Sequence, residues 1–176
     1  MCKKSLRMPP TDMAGKVNSS QATIVLEGIN AVVPEVLQTM TGLPARQGKG
    51  SLAVPLPLAL QGVSGSIGLS GRTNGIVYTA FGKNLAASLA AKILGSVSSE
   101  QDLSDVVAEL TNMISGNLKS RFSDAGFNCT LTIPSVVTGD NISINPKNSS
   151  MNVGNAFLVE GSPEPLCVYF FGFFDK

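Results

Sequence analysis

Histidine does not occur anywhere in this 176-residue chain. Its absence removes the commonest metal ligand, the Ser–His and Cys–His nucleophile pairs, and the usual proton shuttle near neutral pH. Cysteine is scarce: Cys2, Cys129 and Cys167 are an odd number without CxxC spacing, so neither a zinc site nor a disulfide framework is indicated. A reducing cytoplasm is the expected setting. An excess of either charge is also missing, because 13 basic and 12 acidic residues leave a net charge of +1. Such a chain has no electrostatic footprint for nucleic acid or an anionic membrane, and its recognition has to be local. No apolar run is long enough to span a bilayer, and the basic start Met1-Cys-Lys-Lys is not followed by the apolar stretch of a secretory signal. Residues 1–20 are read as a mobile N-terminal tail and residues 21–176 as one domain. With 43% hydrophobic residues, that domain can bury an ordinary core without disulfides or metal.

What is present is strong periodicity. Ile29, Val32, Val33, Val36, Leu37 and Met40 recur at helical spacing, with Asn30 as N-cap, Pro34 near the opening turn and Gly42 at the stop. Leu52, Val54, Leu56, Leu58 and Leu60 alternate, but Pro55 and Pro57 demote that segment to an edge strand or extended arm. Residues 64–71 and 76–81 read as two strands joined by a turn around Asn74-Gly75. A helix is predicted over 84–94, capped by Asn84 and closed by Gly95. Ser98 and Gln101 have the spacing of a capping box that opens a third helix of about 26 residues, ended by Gly126 and close to 40 Å long. Strand candidates follow at 129–133, 156–160 and 166–173, with 145–155 as a polar loop. Three helices, one of them long, and five or six mainly antiparallel strands make a two-layer α+β domain.

The long helix carries the chemistry. At about 100° per residue, Leu103, Val107, Leu110, Ile114 and Leu118 form an apolar stripe, while Asp105, Glu109, Asn112, Gly116 and Lys119 fall together opposite it. A glycine inside a helix costs roughly 1 kcal/mol relative to alanine, so Gly116 needs a reason: close approach by a partner, or tight internal packing. Outward-facing Glu and Asn are commonly plain solvated surface, and Asp105 and Lys119 read equally well as helix-surface charge. The glycine run from Gly62 to Gly75 lacks the Gly-Lys-Ser/Thr ending of a phosphate loop and fits hairpin and bulge glycines. Cys129 and Cys167 sit in apolar strand patterns, as buried structural thiols do. The aromatic run Tyr169 to Phe174 has no interleaved basic residues and suits a sheet core or subunit interface.

Glu109-Leu-Thr-Asn-Met-Ile-Ser-Gly-Asn-Leu-Lys-Ser120 resembles the signature helix of the CheX branch of the CheC/CheX family, phosphatases of chemotaxis response regulators. Val63-Ser-Gly-Ser-Ile-Gly-Leu-Ser-Gly71, Ala90-Ala-Lys-Ile-Leu-Gly95 and Leu131-Thr-Ile-Pro-Ser-Val-Val-Thr-Gly139 agree in the expected order, over roughly residues 22–173. The resemblance implies a CheC-like fold and hydrolysis of the aspartyl phosphate on a CheY-like receiver domain. Asn112 would orient the attacking water, Glu109 would pair with the receiver's lysine, and Asp105, Gly116 and Lys119 would extend the binding face. An acyl phosphate is already activated, and the receiver brings its own Mg²⁺, so the helper needs no cofactor and no histidine.

CheC-type members carry two E-x-x-N helices and CheX-type members one. Glu27-Gly-Ile-Asn30 matches the short pattern but is set aside, because Asn30 is placed as a cap with Glu27 ahead of it. One site per chain is expected. The resemblance also implies a homodimer with its sheet continued between subunits, and the apolar strands near the C-terminus are the sequence feature that supports it. A non-catalytic receiver-binding module and a structural dimerisation domain are the alternatives.

Overall fold

The segment Leu166-Cys-Val-Tyr-Phe-Phe-Gly-Phe-Phe174 is apolar at nearly every position, the pattern of a strand covered on both faces. The computed structural model describes residues 19–175 and places this strand inside a seven-stranded antiparallel sheet. In chain order the elements are α1 (Ser19–Thr41), β1 (Ala45–Gln47), β2 (Leu58–Gly71), β3 (Thr73–Phe81), α2 (Lys83–Leu94), α3 (Glu100–Asp124), β4 (Cys129–Leu131), β5 (Ser135–Ile144), β6 (Met151–Val159) and β7 (Pro165–Phe174). The strand order is β1-β6-β7-β3-β2-β4, with β5 also paired to β2. Both β4 and β5 therefore lie on the outer edge of β2, one after the other.

Alternation sorts the side chains. Val77 and Phe81 of β3, with Leu166, Val168, Phe170 and Phe174 of β7, join the helices in the main core. Tyr78 and Ala80, with Cys167, Tyr169 and Phe171, face the other way into a smaller cluster. That second cluster is covered by Val54 and Leu56 from the arm ahead of β2, which bridges to β6 at Ser51 and Ala53. The arm bears out the reading drawn from Pro55 and Pro57 as far as Pro57, whereas Leu58 and Leu60, read as part of the same segment, begin β2 and pair with β5. The architecture is a two-layer α+β fold, with the three helices on one sheet face. Among the described residues no helix is long and apolar enough to cross a membrane.

Several local expectations are corrected. α1 begins at Ser19, not near Asn30, because Ala22 and Val25 extend the buried stripe upstream of Ile29. The tail expected over 1–20 lies outside the described residues except for Ser19 and Ser20, which are helical. Asn30 thus lies mid-helix and Pro34 lies in the interior, where it removes a backbone hydrogen bond. The α2 cap is also different. Gly82 holds the N-cap position without a side-chain bond, Asn84 donates to Glu164 Oε1 at 2.9 Å, and Glu164 Oε2 accepts the Leu85 N–H at 3.0 Å.

The β2–β3 turn centres on Arg72, between Gly71 and Thr73, whereas Gly75 pairs with Leu69 and Gly172 inside the sheet. β6 starts at Met151, so the loop expected over 145–155 is shorter, and β5 replaces part of what was read as irregular chain. β7 is paired on both sides, so the C-terminal strand offers no edge to a second subunit.

Candidate functional site

α3 is started by a reciprocal cap one residue later than the spacing suggested. Ser99, not Ser98, is the N-cap: its Oγ accepts the Asp102 N–H at 3.2 Å while Asp102 Oδ2 accepts the Ser99 N–H at 3.0 Å. Gln101, expected as the reciprocal partner, donates instead to Asp105 Oδ1 at 2.6 Å. The Ser98 N–H and hydroxyl also donate to Asp102, and these bonds, with those from Ser99, hold its carboxyl below the usual range. A depressed folded pKa stabilises the cap above the ordinary aspartate range, and that contribution disappears as pH falls through the lowered value. At the other end Gly126 takes the left-handed conformation, φ 87°, and the Phe127 N–H donates to Phe122 O at 2.8 Å. Phe122 packs edge-on to Phe170 and Phe174, with ring centroids 5.8 and 5.2 Å away, which pins the last turns to the sheet.

In the middle, α3 sits directly on β2 and β3. Thr111 Oγ1 donates to Val107 O at 2.6 Å, which spends its only proton, so Thr79 donates to Thr111 across a 2.6 Å contact. Gly65 lies beneath: a Cβ there would stand 2.0 Å from Thr111 Oγ1 and 2.9 Å from Thr111 Cβ. Sequence reading grouped Gly65 with turn and bulge glycines, a role that fits Gly62, at φ 85° beside the β2 bulge. Gly65 instead sets how closely the helix approaches the sheet at the residue adjoining Asn112. Gly65→Ala should destabilise the fold by about 1–3 kcal/mol, the usual cost of overpacking, read as a lower urea midpoint at unchanged m-value.

The outward side is uncommitted. Glu109 and Asn112 are both exposed, and within the described residues neither side chain has a hydrogen-bond or ion-pair partner. They are about 4.5 Å apart along the axis and on one patch. Gly116 follows one turn later on the same side, and a Cβ built on it meets nothing within 4 Å. Internal packing is therefore not the reason for this glycine. Asp105 is exposed, with one oxygen taken by Gln101, and Lys119 is half-buried, close enough to Cys129 to act on its thiol electrostatically. The five residues singled out from the sequence do share one face, with Lys119 leaning toward β4. Burial pushes the Cys129 and Cys167 thiols up, as expected of structural cysteines.

This face is a convex helix flank. A hollow of about 300 Å³ between Gln61, Glu164 and Tyr169, and another of about 410 Å³ between Asn74, Lys147 and Phe173, take no residue from α3, and one of about 210 Å³ takes Arg121 and Asp124 from it on the side facing α1, so none includes Asp105, Glu109, Asn112, Gly116 or Lys119. A flank of this shape cannot enclose a small molecule, so the walls of any reaction site have to come from a partner. Among the described residues no group of three or more Cys, Asp or Glu is arranged to hold a metal ion.

The second E-x-x-N pattern is in a different state. Glu27 and Asn30 lie on α1, contrary to the capping role expected for Asn30, yet Asn30 is half-buried and its Oδ1 accepts from Asn155 Nδ2 at 2.7 Å. That carboxamide is part of the α1–β6 contact.

Residues 63–157 match the family described as chemotaxis phosphatase CheX. No curated protein gives a significant match. Among solved structures, one from Desulfovibrio vulgaris Hildenborough, attributed to chemotaxis, is 31% identical, with a TM-score of 0.75 over 85% of this chain and 96% of that one. The chemotaxis protein CheX from Desulfovibrio desulfuricans is 26% identical, with a TM-score of 0.76 over 85% and 99%. The CheX in a CheX–CheY–BeF3–Mg²⁺ complex from Borrelia burgdorferi shares the fold at 22% identity, with a TM-score of 0.69 over 84% and 97%.

Proposed function

Since the chain belongs to the CheX family of chemotaxis phosphatases, we propose that it hydrolyses the aspartyl phosphate of a CheY-like receiver domain on the outward face of α3. One observation carries this reading: among the described residues Glu109 and Asn112 stand exposed and unpartnered on a rigid helix beside Gly116, whose missing side chain leaves space that none of those residues fills. A related fold crystallised with CheY, BeF3 and Mg²⁺ supports the kind of partner.

Each residue then has a task. The Asn112 carboxamide both accepts from and donates to a water without competing as a nucleophile. It holds that water in line with the phosphoryl group, so that a bond forms from water oxygen to phosphorus as the bond to the aspartyl oxygen breaks. The aspartate leaves as a carboxylate, and the water's protons pass to inorganic phosphate and solvent. Glu109 pairs with the receiver's lysine and docks the helix. Mg²⁺ is supplied by the receiver. Asp105 and Lys119 extend the footprint at its two ends.

The protein is proposed to work in the cytoplasm as a homodimer with its sheet continued between subunits. With β7 internal, the edge suited to that is the free side of β5. Phosphate release from a labelled receiver, followed with and without this protein, tests the reading. Binding without faster decay would leave a receiver-binding module, and no binding would leave a dimerisation domain.

Gly116 gives an independent check. Gly116→Ala should stabilise the isolated protein by up to about 1 kcal/mol, raising the thermal midpoint by roughly 2–4 °C. Gly116→Leu keeps good helix propensity but fills the open space, and should weaken receiver binding by about tenfold or more in titration calorimetry. Unchanged binding by the leucine variant would mean that no partner approaches there.

A further inference from the structure

Ile133 has 85% of its surface exposed, against 56% for Leu158 and 50% for Leu94, the next most exposed large apolar side chains among the described residues. It stands on a rigid corner. The Thr132 N–H donates to Gly68 O at 3.0 Å, Thr132 Oγ1 accepts the Gly68 N–H at 2.9 Å, and Pro134 restricts the chain on the other side. Leu131 and Val136, before and after it, pack against the main core, so the corner is anchored at both ends while Ile133 is left in water. An apolar side chain held in place by its backbone loses little conformational freedom on meeting a partner.

The corner adjoins α3. Gly65 lies under Thr111 and is in register with Val136, and Gly68 bonds Thr132. Residues 132–136 therefore run one strand spacing, about 4.8 Å, beyond the stretch of β2 on which α3 rests. α3 packs against both β4 and β5, and Lys119 reaches toward Cys129 on that side. A folded domain laid along Glu109 and Asn112 would be far wider than the helix, wide enough to reach this corner.

We infer that Ile133 is an apolar anchor for the receiver domain, meeting an apolar part of the surface around the receiver's phosphorylation site. This rests on the reading that α3 docks a receiver, and it adds what that reading lacks, a determinant of which receivers are accepted. Glu109 would meet a lysine that receivers of this class share, whereas the receiver surface facing Ile133 is free to differ in its side chains. Receivers with a charged group there are poor substrates.

The test uses the full chain, one phosphorylated receiver, and the same receiver loaded with beryllium trifluoride and Mg²⁺ as the binding probe. Ile133→Ser should raise KM and the Kd for the loaded receiver roughly tenfold, as expected for leaving one such side chain unburied. It should keep kcat within about twofold, and Ile133→Leu should recover most of the affinity. The thermal midpoint and the oligomeric state by sedimentation should not change. Unaltered KM and Kd in Ile133→Ser, while Asn112→Ala loses acceleration in the same assay, would remove the anchor and leave the docking face standing. A lower midpoint or an altered oligomeric state would assign Ile133 to the fold's own packing or to a contact between copies, and would overturn the inference. Failure of the wild-type protein to bind or accelerate would overturn both readings.

Discussion

Replacing Asn112 with alanine is expected to lower kcat for phosphate release by about two orders of magnitude while leaving the Kd for a beryllium trifluoride-loaded receiver within about threefold. The expectation follows from what the residue touches. Among the described residues Asn112 makes no hydrogen bond, so its removal leaves no buried partner there unsatisfied and uncovers no core. The thermal midpoint should stay the same or rise slightly, because alanine is the better helix former. A loss confined to turnover is the signature of an interaction made with the transition state and not with the ground state. Asn112→Asp separates orientation from shape: the carboxylate is almost the same size, but its charge meets an anionic phosphoryl group and it cannot donate. It should be at least as slow as the alanine variant. If Asn112→Ala decays the receiver as fast as wild type, the water is held elsewhere and the catalytic assignment is lost.

What could be read without coordinates, and what could not, divides along the range of the interactions. α3 was legible because its determinants are local: an apolar stripe at helical spacing, a serine-led cap at its start, which the spacing of Ser98 with Gln101 places one residue early, and glycine past its end. Its polar face follows from the same geometry, and so do the five residues grouped on it. The misreadings come from residues that look like local signals but serve distant contacts. Asn30 has the chemistry of a cap, yet bonds Asn155, which no pattern within α1 indicates. Asn84 likewise looks like the start of α2, while the donor groups there are satisfied by Glu164 from the β6–β7 turn. Asn74-Gly75 resembles a hairpin turn, but Gly75 lies where β3 and β7 approach: a Cβ would stand 2.4 Å from Phe171 O. β5 escaped notice because an edge strand exposed along most of its length has no alternation of burial to encode.

The functional face shows the same division at finer scale. That Gly116 is exceptional was visible, since helix interiors disfavour glycine; that its surroundings are empty was not, because emptiness is a property of everything else in the fold. The reverse holds for Gly65, whose ordinary-looking place in a glycine-rich strand conceals a tight approach of helix to sheet at Thr111. The two glycines work on opposite sides of α3: Gly65 lets the helix settle onto its own sheet, and Gly116 leaves open space on the outward face, where the proposed receiver would lie.

Glu109 should behave as the complement of Asn112, losing affinity where Asn112 loses turnover. A charge-assisted pair closed off from water contributes about 1.5–3 kcal/mol, so Glu109→Gln should weaken binding of the loaded receiver by roughly 10- to 100-fold. At saturating receiver its kcat should fall much less, because the remaining contacts still bring Asn112 to the phosphoryl group. Salt provides a second axis. Wild-type affinity should decline with ionic strength and the Gln variant's should decline less, since the pair that salt screens is gone. Glu109→Lys should be worse than Gln, as two ammonium groups then face each other. Pairing that variant with a receiver whose lysine is changed to glutamate should recover part of the lost affinity, and the double-mutant cycle isolates the coupling from any effect on the free proteins. The swapped receiver would lack the lysine its own chemistry uses, so the recovery has to be read in binding and not in phosphate release. Equal affinities for wild type and Glu109→Gln, with turnover reduced, would instead place the glutamate at the reacting centre and leave docking to Gly116 and its neighbours.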